Sequence, residues 1–473
     1  MSPPDLLALA RSAPVHFVGV GGAGMCALAE LVMRRGGRVS GCDIKYGAPV
    51  RRLEGLGARI ETGHGAHHVD GASALVITAA VPAEHPEVVR ARTLGIPVLK
   101  RAAALGAVVN RGRVVAVAGT HGKTTTTAMA AEALAAAGMD PTALVGGTVA
   151  GWEGNLRSGA GDLYVVEADE YDRSFHTLEP DMAVVTNVEA DHLDVYGDLA
   201  GVEEGFRIFL DRVRAGGRIA VCADDHGASR LLAGVGACGY SYGLSSGSQL
   251  RAVEVDPSPA GTRCRVYEDG EDAGQLALGV PGLHNLRNAL GAAAAARWLG
   301  APWKAIARGI GGFCGVGRRF QRLGEAGGVV VIDDYAHHPT EIRATLSAVR
   351  TIHPTDRLVA LFQPHLYTRT RDFQREFGAA LAVADLLWVT DVFPARERPI
   401  PGVSGELVAS AARTAGAALV HYQPDFGELP GDVAATLRPG DVLVTLGAGS
   451  VEEIGPAVLA LLEDLSASRR QHA

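Results

Sequence analysis

An α/β architecture with mostly parallel sheets is predicted by three observations. Strand-length apolar runs alternate with helical periods almost from end to end; several of those runs end in glycine turns that open a helix; and polar residues collect just past the strand ends. The 473 residues are enough for several domains. Two polar or glycine-rich breaks, Asn110-Arg-Gly-Arg113 and Gly311–Gly317, divide the chain into expected domains 1–112, 113–321 and 322–473.

In the first domain a strand over Val15–Val20 leads into Gly19-Val-Gly-Gly-Ala-Gly24 and a helix to about Arg35. A strand at Arg38–Gly41 ends at Asp43, and further strands are predicted near Ala74–Thr78 and Ile96–Leu99. The spacing Gly19-x-Gly21-x-x-Gly24 fits the dinucleotide fingerprint, and Asp43 stands near the position of a ribose-binding acid. Taken alone, that pattern suggests an NAD-dependent dehydrogenase. His64, His67 and His68 are expected in a solvated turn, with His64 bordering the nucleotide.

The second domain opens with the strand Val114–Val117, then Gly119-Thr-His-Gly-Lys-Thr-Thr-Thr-Thr127 and an alanine-rich helix. Backbone N–H groups, a helix N-terminus and the ammonium of Lys123 converge where a polyphosphate would sit, and the hydroxyl of Thr124 or Thr125 would face its Mg²⁺. The loop is shorter than G-x-x-x-x-G-K-[ST], which would put a glycine at Val117. The chain has only four lysines (Lys45, Lys100, Lys123, Lys304) among 44 basic residues, so a lysine here marks a site where Arg would not serve. With a second phosphate loop present, the first domain is better read as holding a nucleotide-linked substrate and the second as holding ATP.

Strands at Tyr164–Val166 and Met182–Thr186 run into Glu167-Ala-Asp-Glu-Tyr-Asp172 and Thr186-Asn-Val-Glu-Ala-Asp-His-Leu-Asp194. Carboxylates at strand ends beside a phosphate loop hold Mg²⁺, and His192 among them is a possible ligand. Helices are expected near Val202–Val213 and Asn285–Leu299, with an antiparallel patch over Gln249–Val280. The third domain begins at the strand Val329–Ile332 and ends with Val442–Leu446, a Gly447-Ala-Gly449 turn and a last helix that frays from Ser466. Asp333-Asp-Tyr-Ala-His-His-Pro339 and Phe362-Gln-Pro-His-Leu-Tyr-Thr-Arg-Thr-Arg371 sit at switch-point positions suited to a ribose and a small carboxylate.

Composition narrows the class. Hydrophobic residues make up 47% and charged residues 20%, as in a folded soluble protein. A net charge of −8 argues against nonspecific binding to nucleic acid or anionic lipid. Six scattered cysteines without C-x-x-C suit a reducing cytoplasm, and neither a signal peptide nor an apolar membrane span is read.

Eight motifs in order give the sequence its family resemblance: Gly-Val-Gly-Gly-Ala-Gly-Met25, Gly-Thr-His-Gly-Lys-Thr-Thr125, Glu-Ala-Asp-Glu170, Thr-Asn-Val-Glu189 with Asp-His-Leu-Asp194, Pro-Gly-Leu-His-Asn285, Gly-Val-Gly-Arg-Arg-Phe320, Asp-Asp-Tyr-Ala-His-His-Pro339 and Phe-Gln-Pro-His365. The chain resembles the Mur ligases of peptidoglycan synthesis, whose phosphate loop has this short form. His121 and the Ala-His-His-Pro element favour the branch that joins L-alanine to UDP-N-acetylmuramate. The resemblance implies a Rossmann-like UDP-sugar domain, a central ATPase domain and a Rossmann-like amino-acid domain. It implies amide ligation driven by ATP and Mg²⁺ through an acyl phosphate, in a monomer or homodimer.

Carried over by motif, Gly21, Gly22, Ala23, Gly24, Met25, Asp43, His64 and Thr78 hold the UDP-sugar. Gly119, Thr120, His121, Gly122, Lys123, Thr124, Thr125, Asn285, Asn288, Arg319 and Asp334 hold ATP. Thr124, Glu167 and His192 ligate Mg²⁺, and His338, His365 and Arg369 line the amino-acid pocket. Lys123, His192, Arg319 and His338 are the implied catalytic set. Relatives often carry a carbamylated lysine that bridges metals, whereas no lysine lies between Lys123 and Lys304. Leu366 stands where many alanine-adding relatives have Arg, which leaves Arg369 or Arg371 for the alanine carboxylate. A ligase attaching a whole tripeptide to the same nucleotide sugar is the nearest alternative.

Overall fold

The computed structural model describes residues 4–258 and 261–471, with side chains described through residue 465. It contains three sheets in two compact units. The first unit runs to Val255 and takes in Arg263–Leu278 and Asn285–Cys314; the second comprises Asp256–Thr262, Gly279–His284 and the chain from Gly315 on.

The first sheet has strands β1 (Val15–Val18), β2 (Val39–Asp43), β3 (Arg59–Thr62), β4 (Ala74–Ile77) and β5 (Val98–Lys100) in the order β3-β2-β1-β4-β5. All neighbours pair in parallel. Chain direction across the sheet reverses between β1 and β4, which opens a crevice at their C-terminal ends. β1 stops at Val18 rather than Val20 because Gly19 takes φ +72°, a left-handed turn that only glycine enters cheaply. β3, with exposed and half-buried residues, lacked the apolar run that would have marked it.

The second sheet has β6 (Arg113–Ala118), β7 (Thr142–Leu144), β8 (Leu156–Arg157), β9 (Leu163–Glu167), β10 (Met182–Val185), β11 (Arg218–Cys222), β12 (Gly239–Gly243), β13 (Leu250–Ser258), β14 (Gly261–Glu268) and β15 (Glu271–Leu278). β6 lies between β9 and β10, parallel to both, so the loops after these three strands share one edge. The helix expected at Val202–Val213 lies at Leu199–Leu210, because the Asp198 carboxylate accepts from Gly201 N and fixes its start. One apolar core runs from Phe17 and Met25 under the first sheet to Val166 and Phe206 under the second. That shared core is why the two sheets form one compact unit.

The second unit carries β16 (Gln321–Ala326), β17 (Val329–Asp334), β18 (Arg357–Phe362), β19 (Leu386–Val389), β20 (Val420–Tyr422) and β21 (Asp441–Leu446), ordered β16-β17-β21-β18-β19-β20. β16 pairs antiparallel with β17, and the rest are parallel. Its last helix, Ile454–Gln471, is continuous through the stretch expected to fray from Ser466; residues 472–473 lie outside the described residues.

Candidate active site

The phosphate loop leaves β6 at Ala118 and enters the helix Lys123–Ala136. Gly119 (φ +141°) and Gly122 (φ +80°) both sit in the left-handed region. A Cβ on Gly119 would strike Thr186 Oγ1, and one on Gly122 would strike Asn288 Oδ1. The loop is held from the β10 end, where His121 N donates to Asn187 Oδ1 at 2.7 Å and the His121 carbonyl accepts from Thr186 Oγ1 at 2.6 Å. Thr120 Oγ1 accepts from Glu189 N at 2.9 Å. Thr124 and Thr125 are buried in the helix's first turn.

Lys123 Nζ lies 2.8 Å from Glu170 Oε2 and donates to the carbonyl of Gly119 at 2.7 Å. Burial would lower the lysine's pKa, but Glu170, Asp169 and Glu167 outweigh it and hold the ammonium charged. Burial pushes the Glu170 carboxyl up to about 7 against the pull of Lys123, helped by the neighbouring charge of Asp169. Thr124 Oγ1 donates to Glu167 Oε2 at 2.9 Å, and Gly146 N donates to the same oxygen at 2.6 Å. A hydroxyl and a carboxylate thus meet at the mouth of the loop, an oxygen donor set that suits Mg²⁺. His192, at φ +53°, places Nε2 3.6 Å from Glu170 Oε1 and 3.9 Å from Asp191 Oδ2. It therefore faces Glu170 and Asp191. Asn285 and Asn288 are both buried, and Asn288 Nδ2 lies 3.3 Å from Asn285 Oδ1 beside Gly122.

At the end of β1, Gly22 caps the helix Ala23–Arg34. Gly21 N donates to Asp43 Oδ2 at 2.8 Å and Lys45 N donates to Asp43 Oδ1 at 3.0 Å, so the Asp43 carboxylate closes the glycine turn. Gly24 and Met25 lie in the first turn of that helix. Arg101, which no motif marked, crosses this turn: a Cβ on Gly24 would lie 2.9 Å from its Nη1. Its Nη2 is 3.6 Å from Asp169 Oδ2 in the acidic stretch of the phosphate-loop sheet. A helix N-terminus and a guanidinium here form an anion-binding edge. Thr78, Lys100 and Arg101 line a cavity of about 420 Å³ with Tyr171, Asp172 and Arg173. His64 and His68, expected in a solvated turn, instead turn toward the buried Glu87, with Nδ1 atoms 3.6 and 3.2 Å from its Oε1.

In the second unit the loops after β17 and β18 form their own polar cluster. Asp334 accepts from Phe320 N at 2.9 Å, Ala336 N at 2.8 Å and Thr345 Oγ1 at 3.1 Å, so it braces the turn on either side of the strand. Burial raises its pKa to about 6, although Arg319 and two backbone donors pull the other way. Arg319 pairs with Glu341 at 3.2 Å. Both Arg318 and Arg319 lie 5.2 Å from the centre of the Tyr335 ring. The His337 ring stands 5.7 Å from that of His365, and Arg369 Nη1 is 3.4 Å from His365 Nδ1. His338 instead packs against Phe373 and caps the helix Pro339–Ile352. Burial pushes the His337 imidazole down to about 3, which keeps it neutral. Of the two arginines considered for the alanine carboxylate, Arg371 is exposed and paired with Asp372 at 2.7 Å, while Arg369 is buried. Leu366 is buried too.

A fold of this order, with a phosphate loop, acidic strand ends and a glycine turn, defines a nucleotide-handling α/β enzyme. Three family models match it in sequence: "Mur ligase family, catalytic domain" over residues 14–113, "Mur ligase middle domain" over 117–296 and "Mur ligase, glutamate ligase domain" over 318–449. The chain belongs to the Mur ligase family. It is 47% identical to the UDP-N-acetylmuramate–L-alanine ligase of Rubrobacter xylanophilus, over 95% of this chain and 100% of that one. The crystal structure of the UDP-N-acetylmuramate–alanine ligase of Thermotoga maritima superposes with a TM-score of 0.81 at 28% identity, covering 96% of this chain and 100% of that one. A murein peptide ligase of Psychrobacter arcticus superposes at 0.71 and 25% identity, covering 96% and 99%.

Proposed function

We propose that the chain joins L-alanine to the lactyl carboxylate of UDP-N-acetylmuramate, with ATP converted to ADP and phosphate. The observation that carries this reading is Arg101. It bridges the anion-binding glycine turn, suited to a substrate diphosphate, and Asp169 beside the phosphate loop, suited to ATP. The near full-length likeness to alanine-adding ligases supports the same substrates.

A carboxylate is a poor acyl donor until one of its oxygens becomes a leaving group. Its oxygen attacks the γ-phosphorus of ATP, the bond to the β-phosphate oxygen breaks, and ADP departs. The alanine amine then attacks the acyl carbon, the carbon–oxygen bond breaks, phosphate leaves with the electron pair, and the amine loses a proton. Lys123 neutralises the transferring phosphoryl group, and the loop N–H groups position it. Thr124 and Glu167 are the residues that would hold Mg²⁺, with His192 and Glu170 at a second position; the ion supplies charge neutralisation at the phosphates. Arg319 and Asp334 are assigned to ATP, and His338, His365 and Arg369 to the amino acid. We assign domain roles to 1–112, 113–321 and 322–473. The nucleotide substrates and six cysteines that form no disulfide fit a cytoplasmic enzyme. Among the described residues no helix is long and apolar enough to cross a membrane.

Phosphorus NMR of the reaction with ATP, Mg²⁺, UDP-N-acetylmuramate and L-alanine tests the chemistry. ADP and inorganic phosphate are expected in equal amounts. AMP and pyrophosphate would replace the acyl phosphate by an acyl adenylate.

A further inference from the structure

Away from the glycine turn and the phosphate loop, the first sheet holds a second cluster of ligand-type side chains. His16 comes from β1, Cys42 from β2, His68 from the short helical turn Ala66–Val69 and Glu87 from the helix Pro86–Thr93. One ligand atom from each lies within 4.8 Å of every other. Around the Glu87 carboxylate, His16 Nε2 stands at 3.3 Å, Cys42 Sγ at 3.2 Å and His68 Nδ1 at 3.2 Å. With ligand distances of about 2.0–2.3 Å, donors around one tetrahedral zinc are about 3.3–3.6 Å apart. The Cys42 and His68 contacts, both to Oε1, are close to the edges of such a site, and His16 approaches the other carboxylate oxygen, Oε2.

The surroundings fit as well. Glu87 is fully buried, and among the described residues its side-chain partners are His16, Cys42, His64 and His68 rather than Arg or Lys. His16 Nε2 is a buried atom that faces the Glu87 carboxylate at 3.3 Å. Its other nitrogen, Nδ1, is held by Ser40 Oγ at 2.9 Å, the kind of outer partner that fixes a metal-binding imidazole. His16 and His68 both line a cavity of about 490 Å³, which gives an entry path.

We propose that His16, Cys42, His68 and Glu87 form a binding site for a borderline-soft divalent transition metal, Zn²⁺ by donor type. A thiolate, two imidazoles and one carboxylate suit such an ion far better than Mg²⁺ or Ca²⁺. All four positions are filled by protein, so the ion's role is structural. It ties two strands, the turn after β3 and a helix of the first sheet into one unit. On binding, the Cys42 thiol gives up its proton to solvent and the sulfur joins the metal as thiolate. The site is independent of the ligase reading, since none of its residues belongs to the phosphate loop or its acidic edge.

Cobalt substitution of the full-length protein tests it. After chelation, Co²⁺ alone is titrated in and followed by absorbance. One equivalent with thiolate-to-cobalt charge transfer and intense tetrahedral visible bands, displaced by Zn²⁺, is expected. Cobalt at the phosphate loop meets only oxygen and nitrogen donors, so it gives no thiolate band. Cys42→Ser should abolish the charge transfer and His68→Gln should weaken binding at least tenfold, whereas Cys314→Ser, at an exposed cysteine, should change neither. His68→Gln keeps the test valid if Cys42→Ser does not fold. Absence of the thiolate band in the parent protein, its survival in Cys42→Ser, or unweakened cobalt binding in His68→Gln overturns the site and leaves a hydrogen-bonded cluster around Glu87.

Discussion

Lys123 and Glu170 form a buried ion pair at 2.8 Å, with the lysine ammonium also turned onto the carbonyl of Gly119. Replacing Lys123 by Ala leaves Glu170 buried beside Asp169, where it is expected to take up a proton rather than unfold the domain. Loss of the only ammonium in the loop should lower kcat roughly 10²–10³-fold. Steady-state phosphate release with circular dichroism as the folding control checks this; full activity in the variant contradicts the role given to Lys123.

Gly119→Ala should be more harmful than an ordinary loop substitution. The new methyl would meet Thr186 Oγ1 at a φ of +141° that L side chains rarely adopt. A stability loss of about 1–3 kcal/mol is expected, with weaker ATP binding. Urea unfolding and nucleotide titration measure the two effects separately.

Arg101→Ala is predicted to act on the sugar nucleotide. Removing a guanidinium from the proposed diphosphate site should cost about 1.5–3 kcal/mol, or roughly 10–150-fold in KM for UDP-N-acetylmuramate. The KM for alanine should stay unchanged. Equal changes in both would place Arg101 in general support of the fold.

Asp334 gives a pH signature in the second unit. Its folded carboxyl keeps a proton to about pH 6, whereas the unfolded chain releases it near the ordinary value of 3.8. Between those values the folded state binds more protons, so this group's contribution to stability falls as pH rises through the window. Asp334→Asn lacks that slope. Relative to the variant, the parent should lose about 2 kcal/mol between pH 4 and pH 7. Urea unfolding of both proteins across that range reads it; parallel curves would show that the carboxyl is not perturbed.

Much of this architecture was legible because it is local. A strand, a glycine turn and a helix start lie within a dozen residues of one another, so the phosphate loop and the β1 turn could be read directly. The groups that complete the site are not local. Arg101 reaches Asp169 through the packing of two sheets, and Glu170 meets Lys123 only because β9 lies beside β6. Cys42 looked like one of six scattered cysteines, since its partners at 16, 68 and 87 are gathered by the first sheet rather than by spacing. Asp43 stands at the distance along the chain of a ribose acid, but that its carboxylate also accepts from the Gly21 and Lys45 N–H groups is set by the fold.

Phosphate release with ATP, Mg²⁺ and UDP-N-acetylmuramate, measured with L-alanine, glycine, L-serine or the tripeptide in turn, tests the central claim most directly. The likeness to alanine-adding ligases, with the buried Arg369 beside His365 to hold a carboxylate, predicts release that is fastest with L-alanine. Release with the tripeptide and none with L-alanine would contradict it.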